Sequence, residues 1–229
     1  LKRQMAPLFW GIHRKTKRFV ITVMPGSHPK NSSIPTAVLL RDVLNVVTTL
    51  REAKSVIYNG KVIVDGIIRK SLHHSIGLMD VVELQGVSDV YRLVPTHGHT
   101  LQPIKIETDE KSKKLVKVTS KTTIKGKKTQ LGFHDGRTII AENDVNVGDS
   151  CLIQIPEQKI LDVIKLEKDS LVIVTRGVNT GQIGKIKNIN EATFTLPKRI
   201  NLTVDKKKFE MPSDLVIAIG KEKPVIQVR

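Results

Sequence analysis

The first 41 residues contain no aspartate and no glutamate, while they carry Lys2, Arg3, Arg14, Lys15, Lys17, Arg18, Lys30 and Arg41. Such an uncompensated field attracts phosphate and releases condensed counterions on contact, so a polyanion is the expected partner. Other scarcities narrow the class. The single cysteine, Cys151, excludes an internal disulfide and any multi-cysteine zinc site. Its neighbours Leu152 and Ile153 make it a buried small hydrophobe in a reducing compartment. Eight aromatic residues leave too few rings for a platform that stacks single-stranded bases, which points to binding through phosphates, grooves and shape. No apolar run approaches the ~20 residues of a membrane span, and no apolar leader precedes a small-residue cleavage site. Walker loops, Gly-x-Ser-x-Gly elbows, His-Glu-x-x-His pairs and Rossmann glycine sets are all missing. No cofactor, metal or small-molecule substrate is expected. His97, His99 and Asp109 lack a fixed-spacing partner set, so the histidines read as solvent-facing or RNA-facing rather than as ligands.

What is present is unevenly spread. Residues 1–79 hold 13 Lys/Arg against Asp42, Glu52 and Asp65, which puts +10 of the total +16 in the first third. Four segments follow, with expected boundaries at 1–36, 37–90, 91–168 and 169–229. The first is basic and broken by Pro7, Pro25, Gly26 and Pro29, with few apolar anchors, so it is expected to order against a partner. From Thr36 the pattern turns helical, with Pro35 placed to open it and Leu40, Val43, Leu44 and Val47 on one face. A second helix from Thr49 sets Leu50, Ala53 and Ile57 against Arg51 and Lys54, and Asn59-Gly60 reads as its stop rather than as a hairpin turn. Lys61 to Val64 and Val81 to Leu84 read as strands, with a turn at Asp65-Gly66.

Beyond residue 90 short strands rich in Val, Ile and Thr alternate with turn signals, an all-β pattern. Between Leu115 and Ile124 one parity holds Leu115, Lys117, Thr119 and Lys121, so one sheet face is expected to be basic or half exposed. The last segment shows five short strands, near 171–174, 181–186, Phe194, 200–204 and 215–219, which fit a small barrel. The run Lys206-Lys207-Lys208 reads as a solvated face. The fold class is therefore α+β, mostly β.

Leu40-Arg41-Asp42-Val43-Leu44-Asn45, Thr49-Leu50-Arg51-Glu52-Ala53-Lys54, Gly60-Lys61-Val62, Val64-Asp65-Gly66 and Gly77-Leu78-Met79-Asp80-Val81 together resemble the small-subunit ribosomal protein family S-four-e. Tyr91-Arg92, His134-Asp135-Gly136-Arg137, Gly148-Asp149, Ile155-Pro156 and Asn179-Thr180-Gly181-Gln182-Ile183-Gly184 extend the likeness over nearly the whole chain. The resemblance implies a small RNA-binding module, then a β-rich central domain, then an SH3-like barrel bearing a KOW motif. The length is similar to that of archaeal members. Arg176 stands where the family usually opens the KOW loop with a first glycine.

The resemblance also implies a non-enzymatic constituent of the ribosome in the cytoplasm, with ribosomal RNA of the small subunit and neighbouring ribosomal proteins as partners. The expected RNA-binding residues are Lys2, Arg3, Arg14, Lys15, Lys17, Arg18 and Lys30 in the opening segment. The helical module adds Arg41, Arg51, Lys54, Lys61, Arg69 and Lys70, and the KOW loop adds Arg176, Asn179, Gly181, Gly184 and Lys185. Two other classes are alternatives: an RNA-modifying enzyme, for which the chain offers no catalytic domain, and a KOW-bearing transcription or elongation factor, against which the basic opening argues.

Overall fold

Pro35, with φ −67°, closes the two-residue strand β1 (Ile34–Pro35) and leads into helix α1 (Thr36–Val38). The apolar stripe continues only as a π-helical turn, Leu39–Val43, in which the Leu44 N–H donates to the Leu39 carbonyl at 2.8 Å. It ends at Asn45, a non-glycine residue at φ +53°. The helix is thus shorter than its spacing predicts, yet Val38, Leu39 and Leu40 still face the core. Helix α2 (Leu50–Tyr58) begins with a reciprocal cap. The Glu52 N–H donates to Thr49 Oγ1 at 3.2 Å, and Glu52 Oε2 accepts from the Thr49 N–H at 3.3 Å. Ala53 and Ile57 are buried as expected, but Leu50 at the first turn stays 41% exposed. Gly60, at φ +73°, follows the helix end, so the Asn-Gly pair is a stop and not a hairpin.

The structure, a computed structural model, describes every residue except 97, 98, 142–144, 205, 206 and 229. His97 and Gly98 of the His97-Gly98-His99 stretch, and Lys206 of the lysine run, lie outside the described residues. The chain divides into two compact units, Leu1–Val94 with Leu101–Ser112, and Pro95–Thr100 with Lys113–Arg229.

Strands β2 (Val62–Val64), β3 (Ile67–Ile68), β4 (Ser75–Ile76), β5 (Val81–Leu84), β6 (Val90–Thr96) and β7 (His99–Ile106) follow α2, and all but the Pro95–Thr100 portion of β6 and β7 belong to the first unit. Five form a sheet in the order β3-β2-β5-β6-β7, and β4 pairs with β1. Asp65 and Gly66 turn β2 into β3 with φ values of +51° and +75°, the geometry of a type I′ hairpin.

The opening segment departs from expectation, because it is folded into this unit. Trp10 is fully buried, and its Nε1–H donates to the Ser33 carbonyl at 2.8 Å. Val20 and Val23 join the same core as Leu39, Ile57, Ile76 and Leu93. His28 is buried with its Nε2 3.1 Å from Asp80 Oδ1, while Asp80 Oδ2 accepts the Gly77 N–H at 2.8 Å. A side chain on Gly77 would overlap the His28 ring, so glycine is required for that approach. Few apolar anchors suffice when one is a tryptophan, which removes roughly 150 to 250 Å² from water.

The second unit holds two five-stranded antiparallel sheets. β8 (Lys113–Thr123), β9 (Thr129–Phe133), β10 (Thr138–Ala141), β11 (Ser150–Gln154) and β12 (Lys159–Ile164) pair in the order β10-β9-β8-β11-β12. β13 (Leu171–Val174), β14 (Ile183–Asn190), β15 (Arg199–Val204), β16 (Lys207–Pro212) and β17 (Val216–Gly220) pair in the order β16-β15-β14-β13-β17. One strand expectation changes here. The fifth strand is β16, hidden in the lysine run, whereas the stretch around Phe194 is an exposed turn. Of the two readings of β8 the half-exposed one holds: β8 is a central strand whose residues 114–118 are all buried and whose residues 119–123 are exposed. Lys117 turns inward, and its Nζ donates to the carbonyls of Ser213 at 2.7 Å and Val216 at 2.9 Å. Burial pushes its pKa down to about 8, with Asp214 pulling the other way. Cys151 is fully buried, and burial raises its thiol to about 11, which makes it unreactive.

Candidate nucleic-acid interface

The opening segment and the helical module meet in a surface cleft of about 360 Å³ in the first unit. Arg3, Thr16 and Lys17 line it from one side, and Arg41, Asp42, Asn45, Thr48 and Thr49 from the other. These residues come together because the π-helical turn presents Arg41, and the bend at Asn45 brings the α2 cap alongside.

The cations of the cleft are not equivalent. Arg41 grips its neighbour Asp42 with two bonds, Nε to Oδ1 at 3.1 Å and Nη2 to Oδ2 at 2.6 Å, so its orientation is held and part of its charge is spent. Arg3 is buried, and its Nε–H donates to the His13 carbonyl at 2.5 Å, which makes it a strut as much as a surface charge. Lys17 is exposed. The Thr16 and Thr48 hydroxyls donate to the His13 carbonyl and to the Glu52 carboxylate. Hydrogen bonds from the Thr48 N–H, then from Thr49, hold the Glu52 carboxyl below the usual range, so it stays charged at the start of α2. A cleft with a fixed guanidinium, an exposed ammonium and a polar rim suits one strand of sugar-phosphate backbone.

The first unit carries further exposed cations. Lys2, Arg14, Lys15, Arg18 and Lys30 are exposed in the opening segment. Arg14 donates to the carbonyls of Gln4 at 3.3 Å and Ala6 at 3.1 Å, and the Arg18 guanidinium sits 5.4 Å from the Phe19 ring centre. On α2, Arg51 and Lys54 are exposed, and the Lys54 ammonium lies 5.4 Å from the Tyr58 ring centre. Lys61 and Lys70 are exposed, while Arg69 is half-buried beside His74. Burial first, and then the Arg69 charge, lowers the His74 pKa and keeps that ring neutral.

The remaining predicted residues belong to the second unit, in and after the loop between β13 and β14. Arg176 and Lys185 are exposed, Asn179 is half-buried, and Val178 is 94% exposed. Gly181 adopts φ +78°, and its N–H donates to the Val174 carbonyl at 2.8 Å. Gly184 has an ordinary extended backbone and faces β15: a Cβ there would stand 2.9 Å from the Thr203 carbonyl oxygen. Its smallness therefore serves strand packing, whereas Gly181 alone of the two adopts the left-handed backbone. Thr16, Asn45, Thr48 and Thr49 are the residues sequence reasoning missed. The Thr49…Glu52 capping pair was the available signal for the α2 edge of the cleft.

Among the described residues, no three His, Cys, Asp or Glu side chains gather as metal ligands, and no helix is long and apolar enough to cross a membrane.

Residues 1–31 match the RS4NT domain, and residues 87–160 match Ribosomal family S4e, which places the chain among ribosomal proteins rather than enzymes. Small ribosomal subunit protein eS4 of Methanothermobacter thermautotrophicus is 41% identical over all of this chain and 95% of its own length. The protein of the same name from Methanocella arvoryzae is 37% identical over 99% of this chain and 96% of its own. The crystal structure of 30S ribosomal protein S4e from Thermoplasma acidophilum superposes with a TM-score of 0.73 at 32% identity, covering 84% of this chain and 97% of that one. The chain belongs to Ribosomal family S4e.

Proposed function

We propose that this protein is a non-enzymatic structural constituent of the small ribosomal subunit, in the cytoplasm, and that it binds folded ribosomal RNA through its basic surface. Full-length similarity to proteins named for the small subunit is the observation that carries the first part. The exposed cations of the opening segment, which is free of acidic residues, and the polar cleft lined by Arg3, Lys17 and Arg41 support the second.

In this reading Lys17 and Arg41 engage one backbone strand at the cleft, while Lys2, Arg14, Lys15, Arg18, Lys30, Arg51, Lys54, Lys61 and Lys70 neutralise neighbouring phosphates. Arg3 and Arg69 act chiefly by holding the surface in shape. The segment 37–90 serves as the RNA-binding module, 91–168 as a central β-rich spacer, and 169–229 as an SH3-like barrel whose KOW loop offers Arg176, Asn179 and Lys185. Neighbouring ribosomal proteins complete its surroundings. The test is co-sedimentation: the protein remains with small subunits after a moderate salt wash, and its appearance only in the soluble fraction refutes the reading.

A further inference from the structure

Strands β14 and β15 pair out to Asn190 opposite Arg199, and the chain between them is a loop whose apex is Phe194-Thr195. The apex is held in shape, because the Thr193 N–H donates to the Leu196 carbonyl at 2.9 Å and the Leu196 N–H donates to Thr193 Oγ1 at 3.3 Å. Pro197 stiffens the exit. On this support the Phe194 ring stands fully in solvent, with Leu196 half exposed beside it. A lone exposed apolar residue is unremarkable. A phenylalanine and a leucine raised together on a closed turn present a compact apolar knob.

Charge separates the candidate partners. In a chain of net +16, residues 191–197 contain no Lys or Arg and one Glu. The two cations at the base of the loop are matched by carboxylates, Lys198 with Glu191 at 3.0 Å and Arg199 with Glu210 at 3.7 Å. Aromatic contacts to single-stranded RNA work beside cations that neutralise the adjoining phosphates. Here the surroundings are close to neutral, whereas Phe19 in the opening segment has Arg18 against its ring. A near-neutral aromatic knob with an aliphatic flank has instead the composition of a protein–protein anchor, a ring that fills an apolar pocket.

We propose that the Phe194–Leu196 apex docks into an apolar pocket of a neighbouring protein chain in the small subunit. The proposal rests on the ribosomal reading above and assigns this loop to protein rather than RNA.

The experiment uses the full-length protein carrying Phe194→p-benzoylphenylalanine, assembled into small subunits, purified through a salt wash and irradiated. A covalent product with another protein chain is the expected result. The Phe194→Ser, Leu196→Ser double variant is expected to lose retention in washed particles by roughly tenfold, the weight of one aromatic anchor. Its affinity for free ribosomal RNA should stay that of the wild type. A crosslink confined to RNA, or none in particles that contain the protein, overturns this proposal and leaves the ribosomal reading standing. If neither wild type nor variant enters the particles, both fall.

Discussion

The two units carry similar net charge and use it in opposite ways. The first holds 16 Lys/Arg against nine Asp/Glu, net +7, and the second holds 22 against 13, net +9. The concentration of charge in the first third is only partly offset within its own unit by the acids of residues 80–112, from +10 to +7. Those acids are consumed locally: Asp80 meets His28 at 3.1 Å, Glu83 meets Lys111 at 3.7 Å, Asp89 meets Lys105 at 2.6 Å and Glu110 meets Arg92 at 2.6 Å. A hydrogen bond from Lys105 holds the Asp89 carboxyl below its usual range, and the same contact raises Lys105. The exposed cations of residues 1–30 are left to act outward.

In the second unit some cations have become core. Lys114 and Asp135 are both buried and lie 3.0 Å apart, with the Arg137 guanidinium 3.3 Å from the same carboxylate. Burial opposes the charge on Asp135, yet Lys114, His134 and Arg137 together lower its pKa. Lys117 is spent on two carbonyls. Net charge, then, does not say where a protein binds; whether each cation is used internally does.

The comparison breaks most visibly through salt. If the first unit engages ~6 to 10 phosphates, affinity for ribosomal RNA falls ~10³ to 10⁵-fold between about 50 and 200 mM salt. Neutralising Lys15, Lys17 and Arg18 together should flatten that slope far more than neutralising Lys114 and Lys117. An RNA affinity indifferent to salt removes the electrostatic account.

Next comes the platform that displays those charges. Trp10→Ala should cost about 3 to 5 kcal/mol, read from urea unfolding, and should strip hydrogen-exchange protection from residues 1–33 in the free protein. An unprotected opening segment in the wild type would show that the basic surface forms only on RNA.

The inward cations have a pH signature. Below pH 8 Lys117 is charged in the folded and unfolded chains alike, and its burial penalty is present in full. Between about 8 and the ordinary lysine value of 10.5 the unfolded chain binds more protons, so stability rises with pH across that window, by at most about 1.4 kcal/mol per pH unit. Lys117→Met should flatten this rise, and an unchanged slope would show that Lys117 does not titrate there.

The smallest effects separate packing from contact in the β13–β14 region. Gly184→Ala should destabilise the second unit by about 1 to 3 kcal/mol, because its methyl meets the Thr203 carbonyl. Arg176→Ala should change stability by less than about 0.5 kcal/mol and weaken RNA binding modestly, with a salt slope lower by about one. Equal thermal stability for Gly184→Ala and wild type would return Gly184 to the list of contact glycines.

Legibility followed the range of the interaction. The α2 stop at Gly60, the Asp65-Gly66 turn and the strands at 62–64 and 81–84 depend on neighbours a few residues apart, and each was readable. The strand β16 was missed because Lys207 and Lys208 read as a solvated run, and a lysine can occupy an edge strand with its ammonium in water. The cleft was half legible: its cations were named, but the threonines and Asn45 that rim it carry no charge signal.

By itself the sequence determined the mostly β class and the family, because composition, local turn chemistry and motif order need no knowledge of distant contacts. Only the tertiary structure decided which basic residues remain available. Trp10 reaching Ser33, His28 reaching Asp80 and Lys117 reaching Ser213 join residues 23, 52 and 96 positions apart. Burial and pairing at that range depend on the closed core, and they decide whether a cation or histidine faces a partner or holds the fold together.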